Sequence, residues 1–101
     1  MWTSALALLT AQAVFDADAS FDAYELRLEA RSADNACSVF TAVERALLDA
    51  AIKRSRDDAV MQGASPGQLD GFEQRQDDAF SIACREAFDL PGVTLHRQET
   101  L

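Results

Sequence analysis

The chain has few of the residues from which metal sites and catalytic centres are usually built. Its only histidine is His96, and no Glu or His lies at the spacing of a zinc ligand, so the common zinc sites are excluded. A glycine-rich phosphate-binding loop is absent as well. We therefore expect neither an enzyme nor a bound metal or cofactor. A nucleophilic pair of Cys84 and His96 is the catalytic alternative, but the apolar helical context of the cysteines favours a structural role.

Basic residues are scarce relative to acidic ones. The sequence has 9 Lys and Arg against 17 Asp and Glu, which gives a formal net charge of -8 at pH 7. Such a surface repels nucleic-acid phosphates and anionic membranes, so we expect no nucleic-acid partner. The acidic residues are spread along the whole chain, which is typical of a solvated surface.

Long hydrophobic runs are missing too. Residues 1–15 carry no charge, but 15 residues are too few for a transmembrane helix. The segment is predicted to form an apolar N-terminal helix that needs cover on more than one side. A remnant of an export signal is the alternative. One side of this helix carries Trp2, Leu6 and Leu9, and another carries Ala5, Leu8 and Phe15.

Residues 23–30 have a pattern that fits either a strand or a helix. Apolar and charged residues alternate strictly, which is typical of a half-buried strand. A helix would place Glu25 over Glu29, and like charges four residues apart repel each other. The residue types themselves favour a helix. The sequence leaves the segment undecided, and residues 93–96 are its only plausible strand partner.

A helical hairpin forms the centre of the predicted fold, which is mainly α and a single small domain over residues 1–101. The first helix is predicted to start near Cys37 and to stop near Gly63. Ser65-Pro66-Gly67-Gln68 has the form of a capping box, so a second helix begins there and continues to about Leu90. So short a turn requires antiparallel packing. The predicted apolar face of the first helix consists of Phe40, Val43, Leu47 and Ala50.

Charged residues predict a solvated face on each hairpin helix. On the first helix, opposite charges lie four residues apart, as in Arg45 with Asp49. On the second helix, Asp70, Glu73 and Asp77 share one face, and carboxylates in that array could bind a cation. A water-exposed acidic surface is the interpretation that we favour.

Cys37 and Cys84 are predicted to form a disulfide at one end of the hairpin. With an unbroken first helix, an axial mismatch of roughly 9 Å would separate them, at 1.5 Å per residue. A disulfide does not tolerate such a gap, so we expect a helix break within residues 56–59. Two buried thiols are the alternative. A disulfide favours an oxidising compartment, the periplasm or the intermembrane space, over the cytoplasm.

The spacing of Cys37 and Cys84, with Phe40 after the first cysteine and two helices between, resembles the HdeA-type acid-stress chaperones of the bacterial periplasm. The resemblance implies that acid unfolds the protein or splits a dimer and exposes apolar surface that holds other unfolded proteins. Full protonation of the carboxylates would bring the net charge to about +10, which destabilises native acid-base pairing. A cysteine-stapled hairpin on an acidic chain is also similar to the hinge subunit of the mitochondrial cytochrome bc1 complex, which normally has two disulfides rather than one.

These features favour a non-catalytic interaction protein, a small accessory subunit or binding module. We predict that it docks on a protein partner, or on a second copy of itself, through Trp2, Leu6 and Leu9. The reason is that monomers rarely leave a contiguous apolar patch in water. An acid-responsive periplasmic chaperone of the HdeA-like kind is the alternative.

A double substitution in the N-terminal segment tests the docking role. Leu6→Glu combined with Leu9→Glu places two charges on the predicted contact side. We expect a protein that keeps its helical circular dichroism but loses its partner or becomes monomeric in size-exclusion chromatography. A variant that unfolds would show that the segment belongs to the core instead.

Overall fold

A computed structural model describes residues 21–101, and this part of the chain consists of helices joined by short connections. No strand occurs in residues 21–101, so the predicted mainly α fold class is shown. The predicted N-terminal helix, with Trp2, Leu6 and Leu9, lies outside the described residues. The helices are α1 (described over residues 21–37), α2 (Ala42–Met61), α3 (Pro66–Ala79), α4 (Cys84–Ala87) and α5 (Pro91–Glu99).

The segment that the sequence left undecided is helical. Residues 23–30 belong to α1 and residues 93–96 belong to α5, so the alternative of a two-stranded β element is wrong. Tyr24 and Leu28 lie four residues apart on one face of α1, and each is only 1% exposed. Burial of this helical face outweighs the alternating pattern that favoured a strand.

Helices α1, α2 and α3 pack side by side in an up, down, up order. Asp34, near the end of α1, pairs with Arg45, near the start of α2. At the other end of α2, Arg56 bonds to Asp70 near the start of α3, at 2.9 Å. Helix α5 packs against α2, and its Val93 is fully buried. Among residues 21–101, the largest fully buried side chains are Tyr24, Leu28, Leu48, Leu69 and Val93.

Helix α2 starts later than predicted and turns a different face to the core. It begins after Thr41, whose hydroxyl accepts the Glu44 N–H while the Glu44 carboxylate accepts the Thr41 N–H. Its buried residues are Leu48, Ala51 and Ile52, and the first two lie one position after the expected Leu47 and Ala50. This correction has a physical reason: the helix carries apolar residues on two faces, and tertiary packing selects between them. Val43 is 70% exposed and Leu47 is 46% exposed, so the predicted face points to solvent.

The cysteines meet without the predicted break in α2. Helix α2 is continuous through residues 56–59, and α3 ends at Ala79 rather than near Leu90. Cys37 is the last helical residue of α1 and Cys84 is the first of α4, so neither lies in the hairpin helices. The sulfur atoms lie at disulfide distance, as predicted, and the Cα atoms are 5.4 Å apart. An extended connection over residues 80–83 thus removes the axial mismatch.

Helix α5 approaches α1 so closely that one position requires glycine. A Cβ atom built on Gly92 would lie 2.1 Å from the backbone oxygen of Leu26. The Gly92 N–H donates to the Glu29 carboxylate at 2.9 Å. A carboxylate at the amino end of a helix satisfies a free N–H and complements the helix dipole. This contact also gives Glu29 a tertiary partner.

The predicted capping box of α3 is confirmed and provides a stability test. The Ser65 hydroxyl accepts the Gln68 N–H at 3.2 Å, and the Gln68 side chain accepts the Ser65 N–H at 2.9 Å. We expect Ser65→Ala to reduce the free energy of unfolding by about 1 kcal/mol in urea denaturation. Ser81→Ala, in the exposed connection after α3, is the control and should leave it unchanged. A midpoint for Ser65→Ala equal to that of the control would contradict the role of the cap.

Candidate functional site

The two residues considered for catalysis from the sequence, His96 and Cys84, both make contacts that hold the fold together. His96 is 3% exposed, and its Nε2 lies 2.6 Å from the backbone oxygen of Glu44. The imidazole also meets the edge of the Phe40 ring, with centroids 5.0 Å apart. The Cys84 sulfur lies at disulfide distance from that of Cys37. The alternative pair of Cys84 and His96 therefore has no free thiolate to act as a nucleophile.

Glu73 of α3 accepts hydrogen bonds from three side chains on two other helices. The Tyr24 hydroxyl donates to its Oε2 atom at 2.5 Å, and Arg31 donates to its Oε1 atom at 2.6 Å. Arg56 donates to the same Oε2 atom and also bonds to Asp70. Only 14% of the Glu73 side chain is exposed. One carboxylate thus connects α3 to donors on α1 and on α2.

The surroundings of Glu73 keep it ionised. Burial would raise its pKa, but hydrogen bonds from Tyr24, Arg31 and Arg56 outweigh burial and leave the pKa below its usual range. Burial and the neighbouring carboxylate raise the pKa of Tyr24 well above that of a free tyrosine. General acid-base catalysis at neutral pH favours groups with a pKa near 7. Both shifts move away from that value, so this cluster is suited to holding helices together.

Asp34 makes a second polar connection, between α1 and α2. Its side chain is 4% exposed and receives two hydrogen bonds from Arg45, one from Nε and one from Nη2 at 3.0 Å. The Phe40 N–H donates to the same carboxylate at 3.1 Å. The Arg45 hydrogen bonds are the largest cause of a lowered Asp34 pKa, and they outweigh its burial. Arg45 thus pairs with Asp34 on another helix. The sequence had predicted that it pairs with Asp49 on its own helix.

The acidic face of α3 is largely water-exposed, as favoured from the sequence, since 71% of the Asp70 side chain is exposed and Asp77 is exposed as well. Its carboxylates nevertheless also bind residues on other helices. Asp70 and Glu73 both bond to Arg56, and Asp77 accepts the Ser32 hydroxyl at 3.0 Å. The face is a docking surface for α1 and α2, and helical spacing alone does not reveal which basic residues approach it. Among residues 21–101, no group of His, Cys, Asp and Glu has the arrangement of a metal site.

The feature that sequence reasoning missed is an apolar surface on α2. The sequence pattern showed three of its four residues, Val43, Leu47 and Ala50, but they were assigned to the core. The four residues are Val43, Ala46, Leu47 and Ala50, which recur at helical spacing and are all exposed. We call them the outer face of α2. Their exposure makes this face the candidate site for contact with another molecule.

Comparisons with known proteins add no family to this description. No protein-family model matches the chain, and no curated protein or solved structure matches it. Within residues 21–101, no helix combines the length and the apolar character needed to cross a membrane.

The lowered pKa values of Asp34 and Glu73 allow a prediction of how the stability of the fold depends on pH. Their pKa values are lower in the folded protein than in the unfolded chain. The stability they contribute is therefore complete above the unfolded values, at about 4, and is lost as the pH falls through the folded values. Glu73→Gln should cost about 3 kcal/mol at pH 7, because Arg31 and Arg56 lose their charged partner.

Urea denaturation at pH 7 and pH 3 measures this dependence. Wild-type protein should lose more stability between the two pH values than Glu73→Gln does. Glu86→Gln, on the exposed side of α4, is the control and should behave like wild type. Equal losses for Glu73→Gln and the wild type would show that Glu73 carries no such linkage.

Proposed function

We propose that this protein is a non-catalytic interaction protein, a small accessory subunit or binding module for a protein partner. The observation that carries the proposal is the exposure of the outer face of α2. Val43 and Leu47, its two large side chains, are 70% and 46% exposed. A rigid helix that presents apolar residues at positions i, i+3, i+4 and i+7 is a common form of protein recognition.

The opposite side of α2 supports this proposal because it holds the helix firmly in place. Leu48 and Ile52 are buried, and Arg45 and Arg56 bind carboxylates on α1 and α3. A fixed helix loses little conformational freedom on binding, which lowers the cost of association. The outer face is therefore preorganised for binding a partner.

Charged residues next to the outer face complete the pattern of an interface. Asp49, Lys53 and Arg54 are exposed and follow the apolar residues along the helix. Interfaces commonly combine an apolar centre with a polar rim that stays in contact with water. The mixture of charges would help to select the register of the partner.

Two features from the sequence remain proposals about the same function. Docking through Trp2, Leu6 and Leu9, on a protein partner or on a second copy, concerns residues outside the described part of the chain. The pairing of Cys37 with Cys84 supports an oxidising compartment, the periplasm or the intermembrane space, because disulfides persist there.

An acid-responsive periplasmic chaperone is the second candidate function. The burial of Asp34 and Glu73 favours it, since protonation of either carboxylate weakens the connections between α1, α2 and α3. If the candidate is correct, the protein binds a hydrophobic dye at pH 3 but not at pH 7. It also prevents aggregation of an acid-denatured client. Failure of either assay would remove this candidate and leave the first unaffected.

A pair of lysine substitutions tests the interaction proposal. Val43→Lys with Leu47→Lys should leave the fold intact, because both side chains are exposed, and should abolish binding to the partner. The matched control is Thr94→Lys with Gln98→Lys, an exposed pair with the same spacing on α5.

The readout is the size of the assembly that each tagged variant forms in cells of the source organism, followed by binding of the purified components. We expect wild type and the α5 control to form the same assembly and the α2 variant to migrate alone. An unchanged assembly for the α2 variant would contradict a role for the outer face.

A further inference from the structure

An apolar groove lies where α1 enters the described structure, beside the first half of α3. Phe21, Leu69 and Phe72 line it, and its volume is about 420 Å³. The rings of Phe21 and Phe72 meet edge to face with centroids 4.9 Å apart, and Phe21 remains 38% exposed. Aromatic rings left partly open to water are suited to receive further apolar side chains.

Three of the residues that line the groove are small. A Cβ atom built on Gly67 would meet nothing within 4 Å, and one built on Gly71 would meet only the Arg75 guanidinium, at 3.2 Å. Ala64 is the third small residue of the lining. Side chains on another element could therefore approach the backbone of α3 closely.

The chain itself supplies a segment of the right chemistry at the right place. Residues 1–20 lead directly into Phe21, which forms the rim of the groove. Residues 1–15 are uncharged, and their apolar residues recur at helical spacing. A segment tethered beside a groove has an effective concentration of about 1 mM, which favours it over a second copy at ordinary protein concentrations.

Charge complementarity supports the same occupant. Arg75 is the one charged residue that lines the groove, and it makes no ion pair with another residue in 21–101. Asp16 and Asp18 lie between the uncharged segment and Phe21, within reach of the groove along the chain. A carboxylate entering there would meet a basic side chain.

We propose that residues 1–15 dock in this groove of their own chain. Docking covers one apolar side of the segment and leaves the other side available to a partner. It also covers the aromatic rim formed by Phe21 and Phe72. The inference is independent of the outer face of α2, which lies on a different helix.

Hydrogen exchange of the full-length protein tests the proposal. An isolated helix of 15 residues is marginal in water, so its amides exchange rapidly unless it is docked. We expect slow exchange in residues 5–15 that does not change on dilution. Gly67→Leu, which fills the groove, should remove this protection while α2 stays protected. Gln98→Leu, which places a leucine at an exposed position of α5, should leave the protection unchanged.

A second variant, Arg75→Glu, changes the charge of the groove without adding bulk and decides the matter if Gly67→Leu does not fold. It should speed exchange in residues 5–15 by repelling Asp16 and Asp18. Rapid exchange of the segment in wild type would overturn the proposal. Protection that disappears on dilution would show that a second copy is the occupant, and protection that persists in both groove variants would place the segment elsewhere; either result also overturns it.

Discussion

The fold depends on one carboxylate shared by three helices. Glu73 lies on α3 and accepts hydrogen bonds from Tyr24 and Arg31 on α1 and from Arg56 on α2. A buried ionic cluster is not more stabilising than an apolar one of the same shape, but removal of one member leaves the others with unmatched charge. Its main effect is therefore to fix the register of the helices, since a shift of one turn would separate every pair.

This constraint explains how a small chain presents apolar residues to solvent without losing its fold. The inward side of α2 combines buried Leu48 and Ile52 with the ion pairs of Arg45 and Arg56, so the helix cannot rotate to bury Val43 and Leu47. Polar side chains face inward to hold helices, and an apolar face points outward. That distribution is the physical basis of the proposed interaction function.

Features that depend on neighbouring residues could be predicted from the sequence. The face of a helix that packs against the rest of the fold could not. The capping box at Ser65 depends on four adjacent residues, so its prediction succeeded. Cys37 and Cys84 had only each other as partners within the chain, so the pairing was predicted although the route was wrong. The choice between the two apolar faces of α2 depends on which neighbours pack against it, and periodicity alone led to the prediction of the face that contains Val43.

The carboxyl groups of α3 illustrate the same limit. Spacing placed Asp70, Glu73 and Asp77 on one face, but the identity of their partners depends on residues up to 49 positions away, such as Tyr24. Long-range ion pairs leave no periodic mark in a sequence. The candidate site was hidden for the same reason, because its apolar residues could be recognised as exposed only after the packed side of α2 was known.

The most direct test of this account is the titration of the Glu73 carboxyl group itself, followed by its carbon-13 chemical shift in the folded protein. We expect a midpoint below the usual glutamate value of about 4.3, because three donors stabilise the ionised form. A midpoint at or above that value would mean that burial dominates. The carboxylate would then not be the group that holds α1, α2 and α3 together.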